Sequence, residues 1–278
     1  MSALLTSPTE PGIHHNLPED IYHGDLASLS SSGARRLLEI SPRQFRHEQL
    51  HGTPDTDTFE FGRAVHSLAL GFGARVVEVR ARDWKTNKAK EERKRWRAEG
   101  AIPLLTTTFF KAHAMATAVR EHPALAPLLG RGWAEISFYW RDPATATLLR
   151  ARPDWLHPTT DGAVVIVDLK TADSADPIEF GWAVRRHNYH LQQHWYQQGL
   201  LTHGLTNTFL FAVVSKHPPH VVSVCVIDEP AALEEAAHDN RRAIDLYAHC
   251  RASGHWPDYG TDIHYIRVPR RAPLSFRY

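Results

Sequence analysis

The residues whose types could do chemistry concentrate in the segment RARPDWLHPTTDGAVVIVDLKTA, residues 150–172. Asp168 and Lys170 stand two apart at the end of a valine and isoleucine run. Side chains alternate across a strand, so this carboxylate and this ammonium project from one face. The run at 164–167 reads as a strand buried on both sides, where an aspartate and a lysine are costly unless they are paired or bind a metal. Asp154 ends the strand before it, a turn at Thr160-Asp161-Gly162 follows, and the resulting hairpin closes Asp154 on the same point. Two carboxylates and the backbone carbonyl of Leu169 are hard oxygen donors of the kind Mg²⁺ or Mn²⁺ takes, with water and phosphate completing the shell. Lys170 would orient or deprotonate a water and offset developing negative charge, which is the chemistry of phosphodiester hydrolysis. The same residues also allow a bland reading, a structural aspartate–lysine pair at a strand end.

These residues need elements to position them. Residues 1–28 carry Pro8, Pro11 and Pro18 and few aliphatic residues, an extended lead-in with little regular structure expected. Ser30 to Ser32 can cap a helix that Ser41-Pro42 ends, and a second short helix covers 44–50. Phe59–Leu70 places Phe59, Gly62, Val65, His66 and Ala69 at helical spacing, with His66 near the buried face. Residues 84–99 form a charged helix and Phe109–Val119 another, so the front half is mainly helical. Five strands are expected at Trp133–Trp140, Thr147–Pro153, Ala163–Lys170, Thr208–Val214 and Val221–Ile227. Helices over Ile178–Leu201 and Ala231–Arg251 then make an α/β fold, a mixed central sheet flanked by helices with a helical N-terminal part.

Bulk composition narrows the class. The 278 residues are 42% hydrophobic and 23% charged, enough for one large domain with its own core. Cys225 and Cys250 cannot make a disulfide framework or a four-cysteine metal site, and no positive stretch followed by an apolar run opens the chain. A cytoplasmic protein with no membrane association is expected. No GxxxxGK[ST] occurs, so nothing signals an ATP-driven motor. The net charge of +1 leaves any polyanion to local patches. Lys85, Lys88, Arg93 and Lys94 within the charged helix, and Arg185 and Arg186 later, are the DNA-binding candidates. Arg267, Arg270 and Arg271 are secondary ones, and an ordinary solvated helix is the alternative for the first group. His187, His190 and His194, three and four apart, could hold Zn²⁺, but Leu191 stands where an HExxH protease needs its glutamate.

Pro153-Asp154, thirteen intervening residues and Asp168-Leu169-Lys170 resemble the PD-(D/E)XK nuclease motif. GRAVH with His66, Glu135 on the preceding strand and YHLQQHWY at 189–196 are similar to the branch that includes the RecB nuclease domain and exodeoxyribonuclease VIII. The resemblance implies a restriction-endonuclease-like core over 29–255, followed by a C-terminal tail at 256–278. It implies that His66 is a metal ligand and that Gln192 and Tyr196, four apart on one helix face, line the site beside Asp154, Asp168 and Lys170. Glu135 stays open between a second-metal or water-positioning carboxylate and an exposed strand residue. The activity implied is a 5′-to-3′ exonuclease on the ends of linear double-stranded DNA in phage-type recombination, working as a homo-oligomer with a single-strand annealing protein. Alternatives on the same fold are a DNA-end binding or assembly module that no longer cuts, and a restriction-like or Cas4-like endonuclease, the latter lacking its cluster cysteines here.

Overall fold

A computed structural model describes residues 6–52 and 57–267. The lead-in is more regular than its prolines suggest: it contains strand β1 (Gly12–His14) and helix α1 (Glu19–His23), whose Tyr22 is buried. Pro18 sits at the helix N-cap, where a missing N–H removes no helical bond. Strand β2 (Leu29–Ser30) leads into α2 (Ser31–Glu39), capped by Ser30 through the Gly33 N–H, and Ser41 caps α3 (Pro42–His51) in the same way. Helix α4 (Asp57–Leu70) turns Ala64, Val65 and Ala69 inward.

Two strands in the front half escaped the sequence reading. β3 (Val76–Val79) and β4 (Ile102–Leu105) pair in parallel, joined by the charged helix α5 (Asn87–Ala98). Four-residue strands carry too little alternation to be told from loops. Helices α6 (Thr106–Glu121) and α7 (Ala126–Leu129) follow. The strand expected at 133–140 is two, β5 (Trp133–Ala134) and β6 (Ser137–Arg141), parted by Glu135 at φ 49°. β7 (Leu148–Ala151) then gives way to β8 (Trp155–Pro158), and it is β8, beginning just after Asp154, that forms the hairpin with β9 (Val164–Ala172). The long helix expected over 178–201 is also two, α8 (Pro177–His187) and α9 (Tyr189–Leu201), broken by Asn188 in the left-handed region. β10 (Asn207–Ser215), β11 (Val222–Cys225) and α10 (Pro230–Ser253) complete the chain order.

The central sheet has the order β11-β10-β9-β8-β5, with β9 and β10 parallel and the other pairs antiparallel. A second sheet, β1-β6-β7-β2, stands beside it. β9 is buried on both faces as its sequence requires. Val164 and Ile166 pack with α2, α8, α9 and α10, while Val167 and Leu169 pack with α4 and α6. The alternation carries Asp168 and Lys170 to the face covered by α9. Gly199 lets that helix close on β6: an added Cβ would stand 2.7 Å from the Trp140 ring. This is a mixed α/β architecture, a mixed central sheet flanked by helices.

Candidate active site

β8 pairs with β9 only as far as Trp155 opposite Val167. Beyond that point β9 loses its neighbour on the β8 side, and the Leu169 N–H, which would otherwise be orphaned, donates to Asp154 Oδ2 at 2.8 Å. The chain therefore places a carboxylate where a strand would have continued. His66 Nδ1, from α4, lies 3.3 Å from the same oxygen. Burial pushes the Asp154 carboxyl above its ordinary range; His66, Lys170 and the Leu169 N–H pull it down, and the Asp168 charge adds to the rise.

On the other face of β9, Asp168 is 1% exposed. Gln192 from α9 donates its amide to Asp168 Oδ1 at 2.7 Å and accepts from Lys170 Nζ at 3.0 Å. Lys170 Nζ also lies 2.5 Å from Asp168 Oδ2, an ion pair, although that buried oxygen accepts no hydrogen bond of good geometry. The ammonium sits 4.6 Å from the Tyr189 ring centroid and 6.0 Å from that of Phe211, so its non-carboxylate side is aromatic. The break at Asn188 matters here, because it swings α9 so that Tyr189 and Gln192 both face the strand end.

An open cleft of about 520 Å³ adjoins this point, with Asp154, His66, Glu135, Arg152, Thr171 and Tyr196 on its wall. Asp168, Lys170 and Gln192 do not line it. Glu135 is no exposed strand residue: it is half-buried at the break between β5 and β6, and its N–H donates to the Asp154 carbonyl at 3.1 Å. Burial raises its carboxyl, Arg152 opposes the rise, and Asp154 and Glu19 add to it. Burial likewise holds the Tyr196 hydroxyl well above its ordinary range, so it stays protonated. Glu19, Tyr22 and Ser31 also reach the cleft, from a region whose sequence gave no sign of it; Arg152 was two residues from Asp154 in plain view.

Among the described residues no three histidine, cysteine, aspartate or glutamate side chains converge as a metal centre. The donor chemistry nevertheless fits a hard divalent cation. The Asp154 and Asp168 carboxylates flank Leu169, His66 adds an imidazole, and Asp168 Oδ2 is a buried oxygen short of a hydrogen bond. The three histidines weighed as a zinc site do not assemble. His187 belongs to α8, His190 is buried with neither ring nitrogen hydrogen-bonded, and His194 Nδ1 meets Asn240 Nδ2 at 3.1 Å.

The basic candidates separate into engaged and exposed ones. Arg93 donates to Glu60 at 2.7 Å and pairs with Asp57, and its guanidinium lies 4.6 Å over the Trp84 ring. Arg97 adds bonds to Glu60 at 2.8 Å, so these arginines tie α5 to α4. Burial alone would raise the Glu60 carboxyl; Arg97 and Arg93 more than offset it and hold it below the ordinary range. Arg185 pairs with Glu235. Lys85, Lys88, Lys94 and Arg186 are exposed, as is Arg267, whereas Arg270 and Arg271 lie outside the described residues. Among the described residues no helix is long and apolar enough to cross a membrane.

Comparison with known proteins gives the fold a family. A Eubacterium rectale protein, described provisionally as an exonuclease, has a crystal structure similar to this one with a TM-score of 0.64. It is 16% identical and the match covers 93% of this chain and 97% of that one. The structure of SSO0001 is 11% identical over 78% of this chain and 77% of that one, with a TM-score of 0.36, too low to carry an argument. No curated protein matches the chain. A family described as a PDDEXK-like domain of unknown function, DUF3799, matches residues 30–269, and the chain belongs to this PDDEXK-like family.

Proposed function

We propose that the protein is a divalent-metal-dependent deoxyribonuclease that hydrolyses phosphodiester bonds at the ends of linear double-stranded DNA. The observation that carries this reading is that Asp154, with His66 against it, and the linked Asp168, Lys170 and Gln192 stand at the same end of β9, where it outruns β8, within electrostatic reach of one another. A lysine and two carboxylates concentrated at one buried strand end are costly to the fold, and such cost marks sites kept for chemistry.

Asp154, Asp168 and His66 would hold Mg²⁺ or Mn²⁺. A residue's N–H and C=O point the same way from a strand, so the Leu169 carbonyl is directed to the side on which its N–H meets Asp154, and it joins them as a donor. The bound cation supplies a polarised water and charge against the phosphate oxygens. Lys170 places its amino group beside the carboxylates, positioned to orient the attacking water, to take its proton as the free amine, or as the ammonium to offset charge on the phosphate. Gln192 fixes the Lys170 and Asp168 side chains relative to each other. Tyr196, protonated and on the cleft wall, offers a hydroxyl donor to substrate, and Glu135 offers a carboxylate able to hold a proton.

The Eubacterium rectale relative's description as an exonuclease favours attack from ends over internal cutting. Digestion of linear duplex labelled separately at the 5′ and 3′ ends, beside a covalently closed circle, tests the reading. Metal-dependent loss of the linear DNA from its 5′ end, absent in Lys170→Ala, is the expected result. Cutting of the circle would replace it with an endonuclease, and binding without cleavage of either substrate would replace it with a DNA-end binding module. The recombination role adds a single-strand annealing protein as partner and a homo-oligomer as the working form. Co-purification from the native host and the mass of the assembly in solution test those two parts separately.

A further inference from the structure

Arg152 is a buried cation with no counter-ion in contact among the described residues. The residue is 8% exposed, yet among the described residues it forms no ion pair. Other arginines held in the fold are neutralised: Arg150 lies 3.5 Å from Asp25, Arg93 and Arg97 share Glu60, and Arg241 lies 2.6 Å from Asp142. The groups in contact with Arg152 among the described residues are neutral. Its Nε donates to Ser137 Oγ at 2.8 Å, its Nη2 to the Leu17 carbonyl at 2.8 Å, and its guanidinium lies 4.0 Å over the ring of Tyr22. These contacts fix the group on three sides, so it cannot swing out into water. Nη1 makes no hydrogen bond among the described residues and is not shut off from solvent. The side chain is on the wall of the cleft that holds Asp154 and His66. Glu19, on the same wall, is engaged with Arg63 at 2.8 Å; it and Glu135 act on the Arg152 charge from a distance, and among the described residues neither forms an ion pair with it.

A buried charge is tolerated when something pairs with it, and a planar guanidinium anchored by two of its nitrogens presents its remaining edge in a fixed direction suited to phosphate. We propose that Arg152 is a phosphate-recognising residue of the cleft and that the missing counter-ion is a phosphate of the DNA strand itself. The inference rests on the nuclease reading and adds to it the group that seats the strand beside the catalytic carboxylates. A terminal monophosphate and an internal phosphodiester share this chemistry, and the test separates them.

The test measures duplex binding by the full-length Lys170→Ala protein, which does not turn the DNA over, across a salt series, with and without Arg152→Gln or Arg152→Lys. Duplexes carry either a 5′-phosphate or a 5′-hydroxyl. Arg152→Gln is expected to weaken binding about tenfold at moderate salt. It should also flatten the slope of log affinity against log salt by about 0.9, one phosphate contact's worth. Arg152→Lys should restore the slope without restoring the affinity, because an ammonium cannot reproduce the guanidinium edge. Loss confined to the phosphorylated duplex assigns a terminal phosphate; equal loss on both assigns an internal one. Unchanged affinity and slope in a folded Arg152→Gln protein would overturn the proposal and leave Arg152 a packing residue. If Arg152→Gln does not fold, Arg152→Lys decides, and unchanged affinity there overturns it equally. Should the parent protein with Arg152 intact fail to bind DNA, and wild type fail to cut it, the nuclease reading falls and takes this proposal with it.

Discussion

The side-chain amide of Gln192 donates to Asp168 Oδ1 across 2.7 Å, from a helix that reaches the strand only because Asn188 breaks the run before it. The same amide's oxygen takes Lys170 Nζ, so one neutral side chain sets the separation of the two charged groups. Gln192→Ala is expected to lower kcat about 10- to 100-fold with KM little changed, since what it loses is the setting of groups rather than a contact to DNA. The buried Asp168 oxygen it abandons should cost about 1–3 kcal/mol of stability in urea denaturation. A KM rise with kcat unchanged would instead put Gln192 on the substrate.

Removing one member of the Asp168–Lys170 pair should be worse for the fold than removing both. Lys170→Met strands a carboxylate that is 1% exposed, with an expected loss of about 3–5 kcal/mol. The double change Asp168→Asn with Lys170→Met should recover much of that loss while remaining inactive. A double-mutant cycle on chemical denaturation reads the coupling, and additive losses would contradict it.

Metal should stabilise the protein as well as enable cleavage. At a concentration a hundredfold above its dissociation constant, Mg²⁺ or Mn²⁺ should add about 2.7 kcal/mol, visible as a rise in Tm that EDTA reverses. Asp154→Asn should abolish both the rise and the cleavage. A Tm unmoved by either metal in wild type would remove Asp154, Asp168 and His66 as ligands.

Glu60 gives a pH-dependent term. Its carboxyl is held below the ordinary range by Arg97 and Arg93, which outweigh burial. A depressed acid stabilises above its unfolded pKa, about 4.3 for glutamate, and loses that contribution as pH falls through the lower folded value. Glu60→Gln should therefore be less stable than wild type at neutral pH, and the gap should close below about pH 4. Thermal unfolding of both proteins across pH 3–8 checks it, and a constant gap would disprove the linkage.

Gly199→Ala should lower stability by about 1–3 kcal/mol, because the new methyl would stand 2.7 Å from the Trp140 ring. Refolding and urea curves show whether α9 can shift to accept it. A neutral result would mean that β6 yields more readily than the packing suggests.

Much of this was legible in the residues. The β-branched run into Asp168 and Lys170 identified a doubly buried strand, and the helical spacing around His66 and Gln192 put both on faces that could turn inward. What escaped were the features made by single backbone conformations. Glu135 adopts positive φ, which its residue type does not announce, and Asn188 does so as a left-handed helix cap, a role asparagine favours but one that a long apolar-periodic run hides; each divides what reads as one element. By pattern the hairpin partner of β9 ends at Asp154, whereas β8 begins after it, because β7 and β8 follow each other too closely to be parted by sequence. β1, α1 and the β3–β4 pair are short elements whose stability comes from neighbours distant in sequence, so no local window holds the information. Arg93 read as a surface charge because its partners, Asp57 and Glu60, are more than thirty residues away.

Those partners give the basic helix a mechanical tie. Glu60 receives Arg93 and Arg97 from α5, and His66 follows six residues later on the same α4, about 9 Å further along its axis. A helix is stiff over that length. A load applied to α5 would therefore pass into α4, the helix that also holds the imidazole beside Asp154.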